Sequence, residues 1–421
     1  MRYFVESYGC TMNYGEGDMI ARKMSELGHT PAGSSDEADI VILNTCTVVD
    51  TTEKKMIERI SELKRANKEI IVTGCMAKVQ ASRISIRLPG SLVIPPEEYD
   101  SVSAAVEERY GKGMPDITEC TGAGTNADTA VSAIIPIASG CVGDCTYCIT
   151  KFARGPLVSR PESEILEQFR DALERGCREI RITAQDTACY GLDTGTSLPE
   201  LIAKLLSVGG EYRIRIGMMN PENLDRIFDR LMDVMEDERV YKFIHVPVQS
   251  GSDNVLKRMN RRYTAERFIE MVGKMRSRYE DMTVSTDIIS GFPDESEGDH
   301  EKSMDLVRTV SPDIVNVTRF SARPGTEAAA MNGQLHGRIS KERSRDITMI
   351  RMDEAAERNK KMVGKIMRVL VTEEGKNGTK IARSGNYRPV VIPGEHELGT
   401  FANVEITDSR PTHLFGSVRL D

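Results

Sequence analysis

The stretch Ile134-Ile135-Pro136-Ile137-Ala138-Ser139-Gly140-Cys141-Val142-Gly143-Asp144-Cys145-Thr146-Tyr147-Cys148 runs an apolar strand straight into three thiols at C-x3-C-x2-C spacing. Gly140 and Gly143 let the backbone wrap closely around whatever the sulfurs hold. Structural zinc sites and four-cysteine ferredoxin loops are coordinatively closed, whereas three thiolates leave one position open. An open iron on a cubane can chelate a second molecule, so the loop points to chemistry and not only to scaffolding. Zinc would call for a fourth protein ligand, and no other Cys or His lies near this loop.

Downstream of the loop, strand and helix patterns alternate. The strands expected are Ile134 to Ala138, Glu179 to Thr183, Tyr212 to Ile216, Phe243 to Val248, Thr283 to Ile289 and Ile314 to Phe320. Amphipathic segments such as Glu162 to Arg175 and Thr264 to Arg278 separate them. Six βα units predict a partial (β/α)6 barrel over 132–360. Catalytic groups of such barrels come from loops at the carboxyl ends of the strands. Here those loops are polar and glycine-rich: Gln185-Asp186-Thr187, Met219-Asn220-Pro221-Glu222, Gln249-Ser250-Gly251, Ser290-Gly291-Phe292-Pro293 and Ser321-Ala322-Arg323-Pro324-Gly325. On this predicted rim Gln185, Gln249 and Asp287 are either cofactor contacts or structural hydrogen-bond partners. His245 lies inside a strand and reads as a satisfied core histidine. Cys177 is expected to pack, while Cys189, near the rim, reads as packed or redox-active.

Upstream, residues 1–110 alternate short strands with helices, which predicts a doubly wound α/β domain with a parallel sheet. Tyr8-Gly9-Cys10, Asn44-Thr45-Cys46 and Thr73-Gly74-Cys75 each close a predicted strand. Ligands of doubly wound sheets sit outside the carboxyl ends of the strands, so Cys10, Cys46 and Cys75 are candidates for a second three-thiolate site. The alternative for each is an inert buried cysteine. Residues 111–131, rich in Gly, Thr and Asn, read as a linker; Cys120 lies there, apart from either cluster.

After a charged helical segment the period changes to that of short strands: Ile366 to Val371, Lys380 to Arg383, Arg388 to Ile392, Phe401 to Thr407 and Leu414 to Arg419. Lys376-Asn377-Gly378 and Ser384-Gly385-Asn386 are turn signals. Five such strands over 361–421 predict a small antiparallel β-barrel resembling an OB-fold. From Lys360 to Asp421 there are 10 Lys/Arg against 7 Asp/Glu, an excess of +3 that leaves −11 of the total −8 on the rest of the chain. That reads as a polyanion handle or a merely solvated surface. Arg154, Arg323, Lys365, Arg368, Arg383 and Arg388 are of a type suited to phosphates.

The whole chain has 421 residues, 29% of them charged, and a net charge of −8, so it does not read as a general nucleic-acid binder. Its 9 cysteines are too few for a disulfide scaffold at this length, and its 21 methionines read as adaptable core filler. The N-terminus lacks a signal-like apolar region, and no apolar run approaches the roughly 18 residues that span a bilayer. The expectation is therefore a cytoplasmic, reduced metalloprotein with no membrane partner.

Cys141, Cys145 and Cys148, with Tyr147 before the last thiol, resemble the signature of radical S-adenosylmethionine (SAM) enzymes. Taken with Tyr8-Gly9-Cys10, Asn44-Thr45-Cys46 and Thr73-Gly74-Cys75, the chain resembles the methylthiotransferases over almost its whole length. His245-Val246-Pro247-Val248-Gln249-Ser250-Gly251-Ser252, Thr286-Asp287-Ile288-Ile289-Ser290-Gly291-Phe292-Pro293 and Arg323-Pro324-Gly325-Thr326 are similar to further motifs of that family. The terminal module resembles its TRAM RNA-binding domain. Cys148-Ile149-Thr150-Lys151-Phe152-Ala153-Arg154-Gly155, Gly195-Thr196-Ser197-Leu198-Pro199 and Met219-Asn220-Pro221 look like the archaeal and eukaryotic branch, although Phe152 stands where a His is expected.

This resemblance implies a radical SAM tRNA methylthiotransferase that converts N6-threonylcarbamoyladenosine at position 37 to its 2-methylthio derivative. It implies two [4Fe-4S] clusters and SAM. Cys141, Cys145 and Cys148 would hold the catalytic cluster, whose fourth iron chelates SAM, and Tyr147 would lie against the SAM adenine or serve as a packing aromatic. Cys10, Cys46 and Cys75 would hold an auxiliary cluster that carries the incoming sulfur. The partners implied are the tRNA anticodon stem-loop, a sulfur donor and an electron donor such as ferredoxin or flavodoxin. The same chemistry on N6-isopentenyladenosine or on a ribosomal protein side chain is the alternative, and a non-catalytic metal-containing RNA-binding protein the remoter one.

Overall fold

The computed structural model describes residues 1–48, 50–99, 101–111 and 131–419, and the expected linker with Cys120 lies almost entirely outside them. Two compact units make up the chain. The segments Ser139–Gly143 and Cys148–Val158 belong with the N-terminal unit, and Asp144–Tyr147 belongs with the second unit. The division in space therefore does not follow the order in sequence.

The N-terminal unit holds a five-stranded parallel sheet in the order Thr30–Pro31, Arg2–Ser7, Ile40–Thr45, Glu69–Gly74, Leu92–Val93. This is the doubly wound arrangement, and its cores show why these runs are apolar throughout. Val41, Leu43, Ile70 and Val72 pack under Met56, Ile60 and Leu63 of the helix Asp50–Arg65. Ile40, Ile42 and Ile71 face the other way, onto Ile20 and Met24 of Thr11–Glu26 and Val102 and Val106 of Ser101–Tyr110. A strand covered on both faces has no polar alternation to show. The connection order reverses between Arg2–Ser7 and Ile40–Thr45, which is the topological switch point where such sheets bind ligands.

In the second unit, Ser132–Pro136, Glu179–Thr183 and Arg213–Ile216 pair in parallel, as do Phe243–His245, Thr283–Ser290 and Ile314–Arg319. A bridge from Ile214 to Val240 joins the two sets, giving six parallel strands in sequence order. Ile180, Ile182, Ile214, Ile216 and Ile244 are buried, and period-two alternation puts Arg181, Arg215, His245 and Asp287 on the opposite face.

The C-terminal strands Ile366–Glu374, Thr379–Ser384, Pro389–Pro393, Phe401–Arg410 and His413–Val418 close into a barrel around Val369, Val371, Val390, Ile392, Val404, Ile406 and Leu414. One detail differs from the expectation of an all-antiparallel barrel. Pro389–Pro393 pairs with His413–Val418 in parallel. Closure of a five-stranded ring requires one pair of like direction, because strict alternation closes only for an even number of strands.

This module is built into the second unit by its hairpin Ser384–Arg388. Tyr387 adopts φ 65°, an uncommon left-handed conformation for a bulky residue, and its ring meets Tyr241 at 4.8 Å and Phe243 at 5.0 Å. The guanidinium groups of Arg215 and Arg383 stand 5.3 and 5.2 Å from the same ring. Buried Asp313 accepts hydrogen bonds from Arg388, from Arg358 Nε at 2.6 Å and from the Val284 amide at 2.8 Å. Burial raises the Asp313 pKa, but Arg388 and Arg358 outweigh it and hold the carboxyl below its usual range.

The phosphate candidates read from the sequence fall into two groups. Arg154, Arg323 and Arg388 are buried, while Lys365 pairs with Asp281, Arg368 with Glu211 and Arg383 with Glu373. Among the described residues, no helix is long and apolar enough to cross a membrane.

Candidate active site

At the carboxyl edge of the N-terminal sheet, backbone geometry explains two of the three strand-end motifs. Gly9 has φ 106°, and a Cβ there would lie 2.7 Å from the Cys46 sulfur. Gly74 has φ 86°, and a Cβ there would fall against Asn44 Oδ1 and the Thr45 carbonyl. Glycine immediately before Cys10 and Cys75 is thus what lets neighbouring strand ends approach. Cys10 then caps the helix Thr11–Glu26, and Cys75 opens the helix Cys75–Val79.

Asn13 ties these loops together. Its Nδ2 donates to the Tyr8 carbonyl at 2.8 Å and the Thr45 carbonyl at 2.9 Å, and Asn44 Nδ2 donates to the Asn13 carbonyl at 2.7 Å. The Cys10 thiol lies 3.7 Å from Asn13 Oδ1. Arg154, from the helix Thr150–Arg154, donates from Nε to Cys75 Sγ at 3.3 Å. Burial pushes the Cys75 thiol pKa up, and the positive charge of Arg154 opposes that rise. Cys46 and Cys75 are buried, whereas Cys10 is exposed.

Among the described residues, no group of three or more His, Cys, Asp or Glu side chains is arranged to hold a single metal ion. A cubane asks for a different arrangement, since each thiolate attaches to its own iron. The donor set of three cysteines on adjacent strand ends, with glycines that let those ends approach closely, fits that group.

The Cys141–Cys148 loop is held by backbone contacts at both ends. Gly140, at φ 79°, passes so close to the Pro156 carbonyl that a Cβ would overlap it, and the Cys141 amide donates to the Gly155 carbonyl at 3.3 Å. The Gly143 amide donates to Cys141 Sγ at 3.2 Å, an orientation that favours a thiolate. Further along, the Thr146 hydroxyl donates to the Arg258 carbonyl at 2.9 Å, and Asn260 Nδ2 donates to the Asp144 carbonyl at 2.8 Å. Three thiols within eight residues, partly open to solvent, suit a cluster reached from outside.

Tyr147 packs edge-on against Phe292 with ring centres 6.4 Å apart. Arg261 Nη2 donates to its hydroxyl at 2.9 Å, and Arg261 Nη1 donates to Asn220 Oδ1 at 2.7 Å. Asn220 Nδ2 and Asn223 Nδ2 both donate to buried Asp186 at 2.8 Å, and the Cys189 thiol lies 3.3 Å from the same carboxylate. Burial pushes the Asp186 pKa up, and these donors work against that shift. A polar chain thus runs from Asp186 through Asn220 and Arg261 to the residue beside Cys148.

The rim candidates sort differently from one another. Gln185 Oε1 is buried without a hydrogen-bond partner among the described residues. Gln249 has φ 71°, its amide donates to the Asp287 carbonyl at 2.8 Å, and its carbonyl accepts from Ile289 at 2.9 Å. Asp287 Oδ1 is within hydrogen-bond distance of His245 Nε2 at 2.9 Å and accepts from Asn316 Nδ2 at 2.8 Å. His245 is therefore partnered, as expected, but through a rim candidate. Cys177 is buried.

The sequence reading did not single out Asn13, Glu16 or Arg261, placed Asn220 only within a rim loop, and read Arg154 as a phosphate ligand. The one local hint was Arg154-Gly155, where Gly155 at φ 67° ends the helix directly after the arginine.

Family models match at three places: the uncharacterized protein family UPF0004 over residues 2–94, the radical SAM superfamily over 135–307 and the TRAM domain over 360–418. A solved radical SAM methyltransferase, TsrM from Kitasatospora setae, shares the fold at TM-score 0.58 with 12% identity, over 78% of this chain and 76% of that one. Fold, thiol loop and terminal barrel define a radical SAM enzyme that carries a TRAM module. An Archaeoglobus fulgidus protein named "Probable threonylcarbamoyladenosine tRNA methylthiotransferase" is 40% identical over 99% of both chains. Proteins named threonylcarbamoyladenosine tRNA methylthiotransferase are 34% identical in Drosophila melanogaster, over 99% of this chain and 77% of that one, and 31% identical in Homo sapiens, over 97% and 72%. The chain belongs to the threonylcarbamoyladenosine tRNA methylthiotransferase family.

Proposed function

We propose that this chain installs a 2-methylthio group on N6-threonylcarbamoyladenosine at position 37 of tRNA, with SAM and two [4Fe-4S] clusters. The observation that carries the reading is the placement of Cys10, Cys46 and Cys75 at the carboxyl ends of three neighbouring strands, in a chain whose Cys141, Cys145 and Cys148 form a separate thiol loop.

When bound, one SAM on the reduced cluster would supply a 5′-deoxyadenosyl radical for hydrogen abstraction at the adenine C2, and a second SAM would supply the methyl group for the sulfur. The protein's work is orientation and exclusion of water. Cys141, Cys145 and Cys148 would hold the catalytic cluster; Cys10, Cys46 and Cys75 would hold the auxiliary one. Tyr147, Gln185, Gln249 and Asp287 would contact SAM, with Arg261 fixing the Tyr147 ring and His245 fixing the Asp287 carboxylate. The TRAM module would grip the anticodon stem-loop. A sulfur donor and a low-potential electron donor of the ferredoxin or flavodoxin kind complete the reaction.

Anaerobic incubation of the reconstituted enzyme with SAM, dithionite and tRNA bearing threonylcarbamoyladenosine tests this. Formation of 5′-deoxyadenosine together with the 2-methylthio nucleoside is expected. Absence of 5′-deoxyadenosine would remove the radical reading, and 5′-deoxyadenosine without methylthiolated tRNA would remove the substrate assignment.

A further inference from the structure

We propose that Arg154 is a positioning residue for the auxiliary cluster: it directs the Cys75 thiolate and raises the reduction potential of the group that thiolate binds. The proposal rests on the reading of Cys10, Cys46 and Cys75 as that cluster's ligands.

Arg154 and Glu16 are sealed from solvent, with side chains 1% and 3% exposed. Arg154 offers both terminal nitrogens to the Glu16 carboxylate, Nη2 at 2.8 Å, and Nη2 also donates to Asn13 Oδ1 at 2.8 Å. A guanidinium has a third edge, and here the remaining Nε–H points at Cys75 Sγ, 3.3 Å away. Ion pairing with Glu16 alone would not need that contact. Asn13 meanwhile holds the Tyr8 and Thr45 carbonyls, so one buried network touches the loops of all three thiols. Hydrogen bonds to cluster sulfurs stabilise the more negative, reduced state and so set the potential. Glu16 offsets part of the guanidinium charge, and the directed N–H adds to what remains of that charge at Cys75.

The test uses the full-length chain with Cys141, Cys145 and Cys148 replaced by Ala, so that only the auxiliary cluster is rebuilt. Arg154→Lys keeps the charge and removes Nε–H; the double variant Glu16→Gln with Arg154→Gln removes the pair together, without stranding a buried carboxylate. Iron content, circular dichroism and an EPR-monitored redox titration are measured on each. The expected result is a folded chain with about four irons and a midpoint potential shifted to more negative values in both variants. Loss of iron from a folded Arg154→Lys chain also supports the positioning role. An unshifted potential at full iron content overturns it. Cys75→Ala in the same background is the control on the underlying reading: full retention of iron there overturns the ligand assignment itself.

Discussion

Tyr147 and Arg261 are 114 positions apart and meet through one hydrogen bond of 2.9 Å. Removing that bond from either side has different consequences. Tyr147→Phe keeps the edge-on contact with Phe292 and deletes one neutral acceptor, a loss of about 1 kcal/mol. Arg261→Met removes the charged donor from both the part-buried Tyr147 hydroxyl and Asn220 Oδ1, a loss of about 3 kcal/mol. In urea unfolding the double variant should cost less than the two singles together, because both delete one bond. Strict additivity would mean that the contact is not made. At this scale the sequence was uneven as a guide. The spacing of Cys141, Cys145 and Cys148 is a local property that can be read directly, whereas Cys10, Cys46 and Cys75 could be grouped only by their place at strand ends. Arg154, Asn13 and Arg261 were not legible, since their partners are fixed only when distant segments pack. An isolated arginine in a list of residues reads as a phosphate ligand; buried against Glu16 it cannot serve as one.

The C-terminal module behaves as part of the second unit and not as a detachable handle. Its five strands were legible to within three residues at each end from alternation and from the turn at Lys376-Asn377-Gly378. The parallel closing pair was not legible, because alternation marks faces and says nothing of strand direction. The junction also changes how the module should be probed. Truncation at Lys361 would strip Asp313 of Arg388 and free Tyr241 and Phe243 of Tyr387, so it would damage the barrel along with any RNA contact. Asp313 makes a cleaner prediction. Its folded pKa is depressed, so its contribution to stability is present above the unfolded value of about 4 and is lost as pH falls below that. Asp313→Ala should destabilise the protein by about 3 kcal/mol at neutral pH, since it leaves buried Arg388 and part-buried Arg358 without their anion. Asp313→Asn should flatten the acid limb of a pH-dependent unfolding series. A limb of unchanged steepness would show that another group carries it.

Over the whole molecule, the account requires two clusters in one chain. Anaerobic reconstitution should give about eight irons per chain, and replacing Cys10, Cys46 and Cys75 together should leave about four. Replacing Cys141, Cys145 and Cys148 should leave about four as well, while abolishing 5′-deoxyadenosine formation. An iron count unmoved by the first triple replacement would refute the auxiliary site. The order of the elements was legible because each region has its own period: short buried strands, then βα units, then alternating hairpins. What the sequence concealed is that Ser139–Gly143 and Cys148–Val158, with Cys141 and Cys148, belong with the N-terminal unit, a consequence of packing that no periodicity records. The central claim concerns the substrate, and the nucleoside profile of tRNA from cells lacking this gene tests it most directly. The account predicts loss of 2-methylthio-N6-threonylcarbamoyladenosine, accumulation of N6-threonylcarbamoyladenosine, and restoration by the intact chain but not by a Cys141→Ala chain. An unchanged level of the 2-methylthio nucleoside in those cells would contradict it.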